Sequence, residues 1–101
     1  MRNLTMLTDL YQLTMMYGYF KEGMQNNTGI FDLFFRPKED VEYAVMAGTE
    51  SVVNYINAIH FSDEDISYLR SLKLFDETFL TYLKTFRFTG ELYAMPEGTV
   101  V

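Results

Sequence analysis

The sequence predicts one small domain that mixes helices with strands. Capped apolar runs at helical spacing recur over residues 8–22, 49–59, 62–72 and 76–86. Between them lie short alternating or β-branched runs at 29–36, 42–46 and 99–101. With 101 residues, 49% of them apolar, the chain can fill a single core but not two.

The first helix is expected over 8–22. Thr8 is placed as its N-cap, accepting a first-turn amide, and Asp9 as its first helical residue, a carboxylate at the positive end of the dipole. The run from Leu10 to Phe20 is apolar on nearly every side, which predicts burial on more than one face. Gly18 inside it predicts a close approach by another element, and Gly23 predicts the stop. Next, 29–36 reads as a strand with Phe31, Leu33 and Phe35 on a core face and Arg36 at its end. Pro37 stops it, and a turn leads into a short strand at 42–46.

Ala47-Gly48 gives a tight exit into a helix over 49–59 with Val52, Val53, Ile56 and Ile59 on one stripe. Such an entry can offer amides to an anion, but a close turn is the better explanation of these residues. The third helix opens with Ser62 as N-cap, Asp65 closing a capping box and Phe61 stapled onto Ile66. That assignment accounts for the acidic triplet 63–65 without a metal. Asp76 caps the fourth helix, whose stripe is Phe79, Leu80, Tyr82, Leu83 and Phe86. The chain then runs extended to Pro96-Glu97-Gly98, a hairpin turn signal, and Thr99-Val100-Val101 begins a returning arm. A strand in progress at residue 101 predicts that the chain is the N-terminal part of a longer protein.

Composition narrows the chemistry. The absence of cysteine removes disulfides, thiolate nucleophiles and Cys-ligated metals. A net charge of −6 argues against a nucleic-acid surface. No secretory or membrane-spanning run is found, so a cytoplasmic protein is expected, and Asn26-Asn27-Thr28 is read as a chance glycosylation pattern. Nine Phe and eight Tyr are generous for so small an interior, so some rings should face a partner or a ligand. The single His60 has no nucleophile or orienting acid beside it and is read as structural. Two residues remain as binding candidates: Tyr11, near an exposed helix start, and Arg36, at a strand end. From the local pattern Tyr11 reads first as one more core aromatic. Residue chemistry alone leads to a domain that binds a small planar or phosphorylated ligand, with a stand-alone interaction module as the alternative.

Six segments, in order, resemble the start of nicotinate phosphoribosyltransferases: Leu7-Thr8-Asp9-Leu10-Tyr11-Gln12, Phe31-Asp32-Leu33-Phe34-Phe35-Arg36, Tyr43-Ala44-Val45-Met46-Ala47-Gly48, Tyr68-Leu69-Arg70-Ser71-Leu72, Phe86-Arg87-Phe88-Thr89-Gly90, and Ala94-Met95-Pro96-Glu97-Gly98-Thr99-Val100-Val101. Two positions depart from the pattern: Pro37-Lys38-Glu39-Asp40 replaces a Gly-containing turn, and Thr49 stands where the family often has Leu. The resemblance implies an α+β N-terminal domain over 1–101, helices with a small, mostly antiparallel sheet, ahead of an α/β barrel of the type II phosphoribosyltransferase kind. It implies a complete enzyme that makes nicotinate mononucleotide from nicotinate and phosphoribosyl pyrophosphate with ATP hydrolysis and Mg2+, as a homodimer with shared sites. It gives Tyr11 the nicotinate ring, Asp9 a site-shaping role and Arg36 the phosphates. The phosphohistidine and the barrel residues would lie downstream, so no catalytic residue or metal ligand is expected in this chain, which alone should be inactive.

Overall fold

The computed structural model describes residues 2–101 and contains four helices: α1 (Leu10–Lys21), α2 (Thr49–Ala58), α3 (Asp63–Ser71) and α4 (Glu77–Lys84). Three of the four helix starts follow directly from side-chain chemistry. In α3, Ser62 Oγ accepts from the Asp65 amide at 3.1 Å while Asp65 Oδ2 accepts from the Ser62 amide at 3.0 Å, which closes the expected box. In α4, Asp76 Oδ1 accepts from the Phe79 amide at 2.9 Å. In α1 the frame is one residue later than expected. Asp9, with extended backbone, is the N-cap, and Gln12 Oε1 accepts from its amide at 3.1 Å. The Thr8 hydroxyl bonds the Gln12 side chain instead of capping an amide. Thr8 and Asp9 are both good caps, and Gln12 decides between them because it stands three residues after Asp9.

The far end of α1 has the expected stop. Gly23 takes a φ of +71°, its amide bonds the Phe20 carbonyl at 3.0 Å, and the Met24 amide bonds that of Tyr19 at 2.8 Å. This pair of bonds is a Schellman motif, and its left-handed residue favours glycine. After α3 the same role falls to Lys73, at φ +58°, where no glycine is available.

The core is built by α1, α3 and α4. Its buried members are Leu13, Phe61, Ile66, Leu69, Phe79, Leu80 and Leu83, with Met16, Tyr17, Phe20 and Phe75 packed around them. Phe79 is the centre, its ring 5.1 Å from that of Tyr17 and 5.5 Å from those of Phe20 and Phe75. Two ion pairs brace the helix ends: Arg70 grips Glu77 bidentately, at 2.6 and 3.0 Å, and Lys21 lies 3.8 Å from Asp76. The remaining faces of α1 are exposed. Nothing lies within 4 Å of where a Gly18 side chain would sit, so the burial on several sides and the close approach read from the sequence are not found within this chain.

The expected sheet is also corrected. Among the described residues there is no strand, only one antiparallel bridge between Val45 and Val100. Around it 44–46 and 98–101 exchange four backbone bonds of 2.8–3.2 Å, so the arm after the Pro96–Gly98 turn pairs with 44–46. Residues 29–36 make no backbone pairing of this kind. Their intended core face stands in the open, with Phe31 92% and Leu33 98% exposed. Alternation predicts a strand, but a sheet needs both a neighbouring strand for its amides and a layer to cover its apolar face. The described chain supplies neither to 29–36. The fold is therefore a helical body with irregular arms, joined at one point by the Val45–Val100 bridge.

Candidate functional site

Asp9 is the N-cap and Tyr11 a first-turn residue of α1, whose inward face (Leu13, Met16, Tyr17, Phe20) is held by the core. The period of the helix then turns Tyr11 outward, and its ring is 60% exposed. The core reading of Tyr11 is thereby excluded in this chain. Asp9 is exposed too, with its amide bound to Gln12. The helix start thus leaves both the Asp9 and the Tyr11 side chains open to solvent. Arg36 lies at the end of the unpaired extended segment, exposed, and no hydrogen bond or ion pair joins it to Asp9 or Tyr11. Asp9 and Tyr11 are neighbours at the α1 start through the chain, and Arg36 shares no hydrogen bond or ion pair with them.

Two clefts open elsewhere. One, about 460 Å³, lies between Leu33, Phe34 and Phe35 on one side and Ala44–Ala47, Met95 and Val101 on the other, and is mainly apolar. A second, about 620 Å³, runs from Met16 and Tyr19 of α1 to Tyr82, Phe86 and the loops that carry Asn26 and Arg87. Neither is lined by Asp9, Tyr11 or Arg36. Among the described residues no group of three or more His, Cys, Asp or Glu could hold a metal ion. The His60 ring nitrogen Nδ1 bonds the Ala58 carbonyl at 3.0 Å, in keeping with a structural role.

At the start of α2 the sequence reading missed a partner. Gly48 takes a φ of +96°, and the Thr49 amide donates to Glu97 Oε1 at 2.6 Å. A carboxylate of the Pro96–Gly98 turn therefore occupies the helix end that Ala47-Gly48-Thr49 offered to an anion. The two residues are 48 positions apart, and only the bridge between 44–46 and 98–101 brings them together.

The fold thus shows a helical body with Tyr11 exposed at the start of α1 and the apolar residues of 29–36 left open. The sequence matches the nicotinate phosphoribosyltransferase (NAPRTase) N-terminal domain over residues 6–101, and the chain belongs to that family. It is 41% identical over 97 residues to the nicotinate phosphoribosyltransferase pncB2 of Mycobacterium tuberculosis, covering 95% of this chain and 21% of that protein. It is 43% identical over 101 residues to the nicotinate phosphoribosyltransferase of Bacillus subtilis, covering 98% and 20% respectively. Nicotinate phosphoribosyltransferase 2 of Arabidopsis thaliana is 40% identical over 99 residues, 95% of this chain and 18% of that protein. The chain thus spans about a fifth of the length of the curated relatives it matches. No helix among the described residues is long and apolar enough to cross a membrane.

Proposed function

We propose that this chain is the nicotinate-facing N-terminal part of a nicotinate phosphoribosyltransferase. The complete enzyme joins the ring nitrogen of nicotinate to C1 of phosphoribosyl pyrophosphate, releasing pyrophosphate and forming nicotinate mononucleotide for NAD synthesis. ATP hydrolysis drives the reaction and Mg2+ accompanies the phosphates; both belong to parts of the enzyme outside these residues. The observation that carries the reading is the family match over 6–101, which includes the exposed Tyr11 at the start of α1. A planar heteroaromatic acid suits that ring, which can stack on it without moving. Asp9, the N-cap beside it, shapes the entrance. Arg36 supplies a guanidinium for phosphate oxygens once its arm is docked. The enzyme is cytoplasmic and works as a homodimer with sites shared between subunits.

The test is Tyr11→Ala in the complete enzyme. Loss of a stacking contact worth about 0.5–1.5 kcal/mol should raise the KM for nicotinate roughly two- to tenfold and leave that for phosphoribosyl pyrophosphate unchanged. Because the ring is outside the core, thermal stability should hardly move. Equal KM values for mutant and wild type with both substrates would remove Tyr11 from the site.

A further inference from the structure

The segment before α1 is fastened to the linker between α2 and α3 by side chains that no role above uses. Thr5 is a buried polar residue, only 8% exposed. Its Oγ1 accepts from the His60 amide at 3.1 Å. Asn3 Nδ2 donates to the His60 carbonyl at 3.3 Å, and Asn3 Oδ1 accepts from the Thr5 amide at 3.0 Å. Both backbone polar groups of His60, in the linker between α2 and α3, are therefore held by residues more than 50 positions away. The imidazole takes no part, since it bonds Ala58.

From this clasp to Tyr11 the chain has little slack. The Leu7 amide bonds the Leu4 carbonyl at 2.9 Å, the Thr8 amide bonds that of Met6 at 2.9 Å, and the Asp9 amide is taken by Gln12. Met6 packs on the core between them. We propose that Thr5, assisted by Asn3, is a positioning residue of the nicotinate site. The clasp on His60 fixes where the chain enters α1, and hence where the exposed Tyr11 ring stands. The core fixes the inward face of α1 but leaves its first turn exposed, so the approach through residues 3–8 carries the aim of that turn. The proposal rests on Tyr11 being the ring-stacking residue.

The experiment compares Thr5→Val, Thr5→Ser, Tyr11→Ala and the Thr5→Val/Tyr11→Ala pair in the complete enzyme. Valine keeps the volume of threonine and loses the acceptor, while serine keeps the acceptor. Thr5→Val should raise the KM for nicotinate about two- to tenfold, up to the loss seen on removing the stack itself. The KM for phosphoribosyl pyrophosphate should stay constant, and Thr5→Ser should restore the wild-type value. In the Tyr11→Ala background Thr5→Val should add nothing. Hydrogen exchange at the Leu7 and Thr8 amides should be faster in Thr5→Val and normal in Thr5→Ser. Should Thr5→Val fail to fold, Asn3→Ala, at an exposed position, gives the same selective shift in smaller measure. The proposal is overturned if Thr5→Val leaves the nicotinate KM unchanged, raises both KM values alike, or acts undiminished without the Tyr11 ring. If Tyr11→Ala itself leaves nicotinate use intact, the site reading falls first and this one with it.

Discussion

Replacing Phe79 by alanine is the sharpest test of how the helical body carries its binding face. The ring is wholly buried and touches Tyr17 and Phe20 of α1, Phe75 of the preceding turn and Tyr82 of its own helix. Truncation removes a large buried side chain and leaves a cavity that three helices cannot close without moving, a change that costs about 3–5 kcal/mol. Part of that is the loss of ring–ring contacts, at about 0.5–1.5 kcal/mol for a well-placed pair. A domain of this size holds only about 5–15 kcal/mol in total, so Phe79→Ala should take away a large fraction of its stability. Phe79→Leu, which keeps most of the buried surface, should cost about 1–2 kcal/mol. Urea unfolding followed by far-ultraviolet circular dichroism measures both, with the midpoint falling and the slope unchanged. A loss below about 1 kcal/mol for Phe79→Ala would refute the reasoning. It would mean that α1 is not held against α4 by this ring, and that the first turn bearing Tyr11 is anchored by something else.

Three further outcomes follow from local geometry. Lys73→Gly should stabilise the chain by about 0.5–1 kcal/mol in the same unfolding assay. A left-handed residue with a side chain costs about 1–2 kcal/mol, and the extra chain entropy of glycine returns part of that. The Arg70 guanidinium hydrogen-bonded to Glu77 holds its carboxyl below the usual carboxylate range. Its folded value lies below the unfolded one, so the pair's stabilisation is complete above the ordinary value of 4.5 and disappears as the pH falls through the lowered one. Glu77→Gln should therefore flatten the acid limb of the stability–pH curve, and salt should weaken the wild-type effect because both groups are exposed. Glu97→Ala should speed hydrogen exchange at the Thr49 amide, which loses its carboxylate, with no change at the amides of the α3 cap.

Local chemistry made most of the helical body legible. Ser62 with Asp65, Asp76 with the Phe79 amide, and Gly23 after α1 each act within a few residues of chain, so their geometry follows from spacing alone. The same holds for the stripe of Phe79, Leu80 and Leu83, which is buried as its period requires. Misreadings arose where the answer depends on partners. Residues 29–36 alternate as a strand should, but alternation cannot say whether a second strand or a covering layer exists. The Glu97 carboxylate on the α2 start was invisible because 48 residues separate it from Thr49.

The candidate site divides along the same line. Sequence alone placed Asp9 and Tyr11 at a helix start, because capping and first-turn chemistry are local. Its one-residue error, Thr8 for Asp9 as cap, reflects two caps of similar strength competing for one helix. Whether Tyr11 faced the core or the solvent depended on which side of α1 met α4. Tertiary packing decided that by burying Leu13 and leaving the Tyr11 ring in the open. Only that packing could also show the grip of Asn3 and Thr5 on His60, a contact between chain segments that no local pattern encodes. Capping and periodicity are short-range and are written in the sequence, whereas the choice of outward face and the long-range clasp exist only once the helices have met.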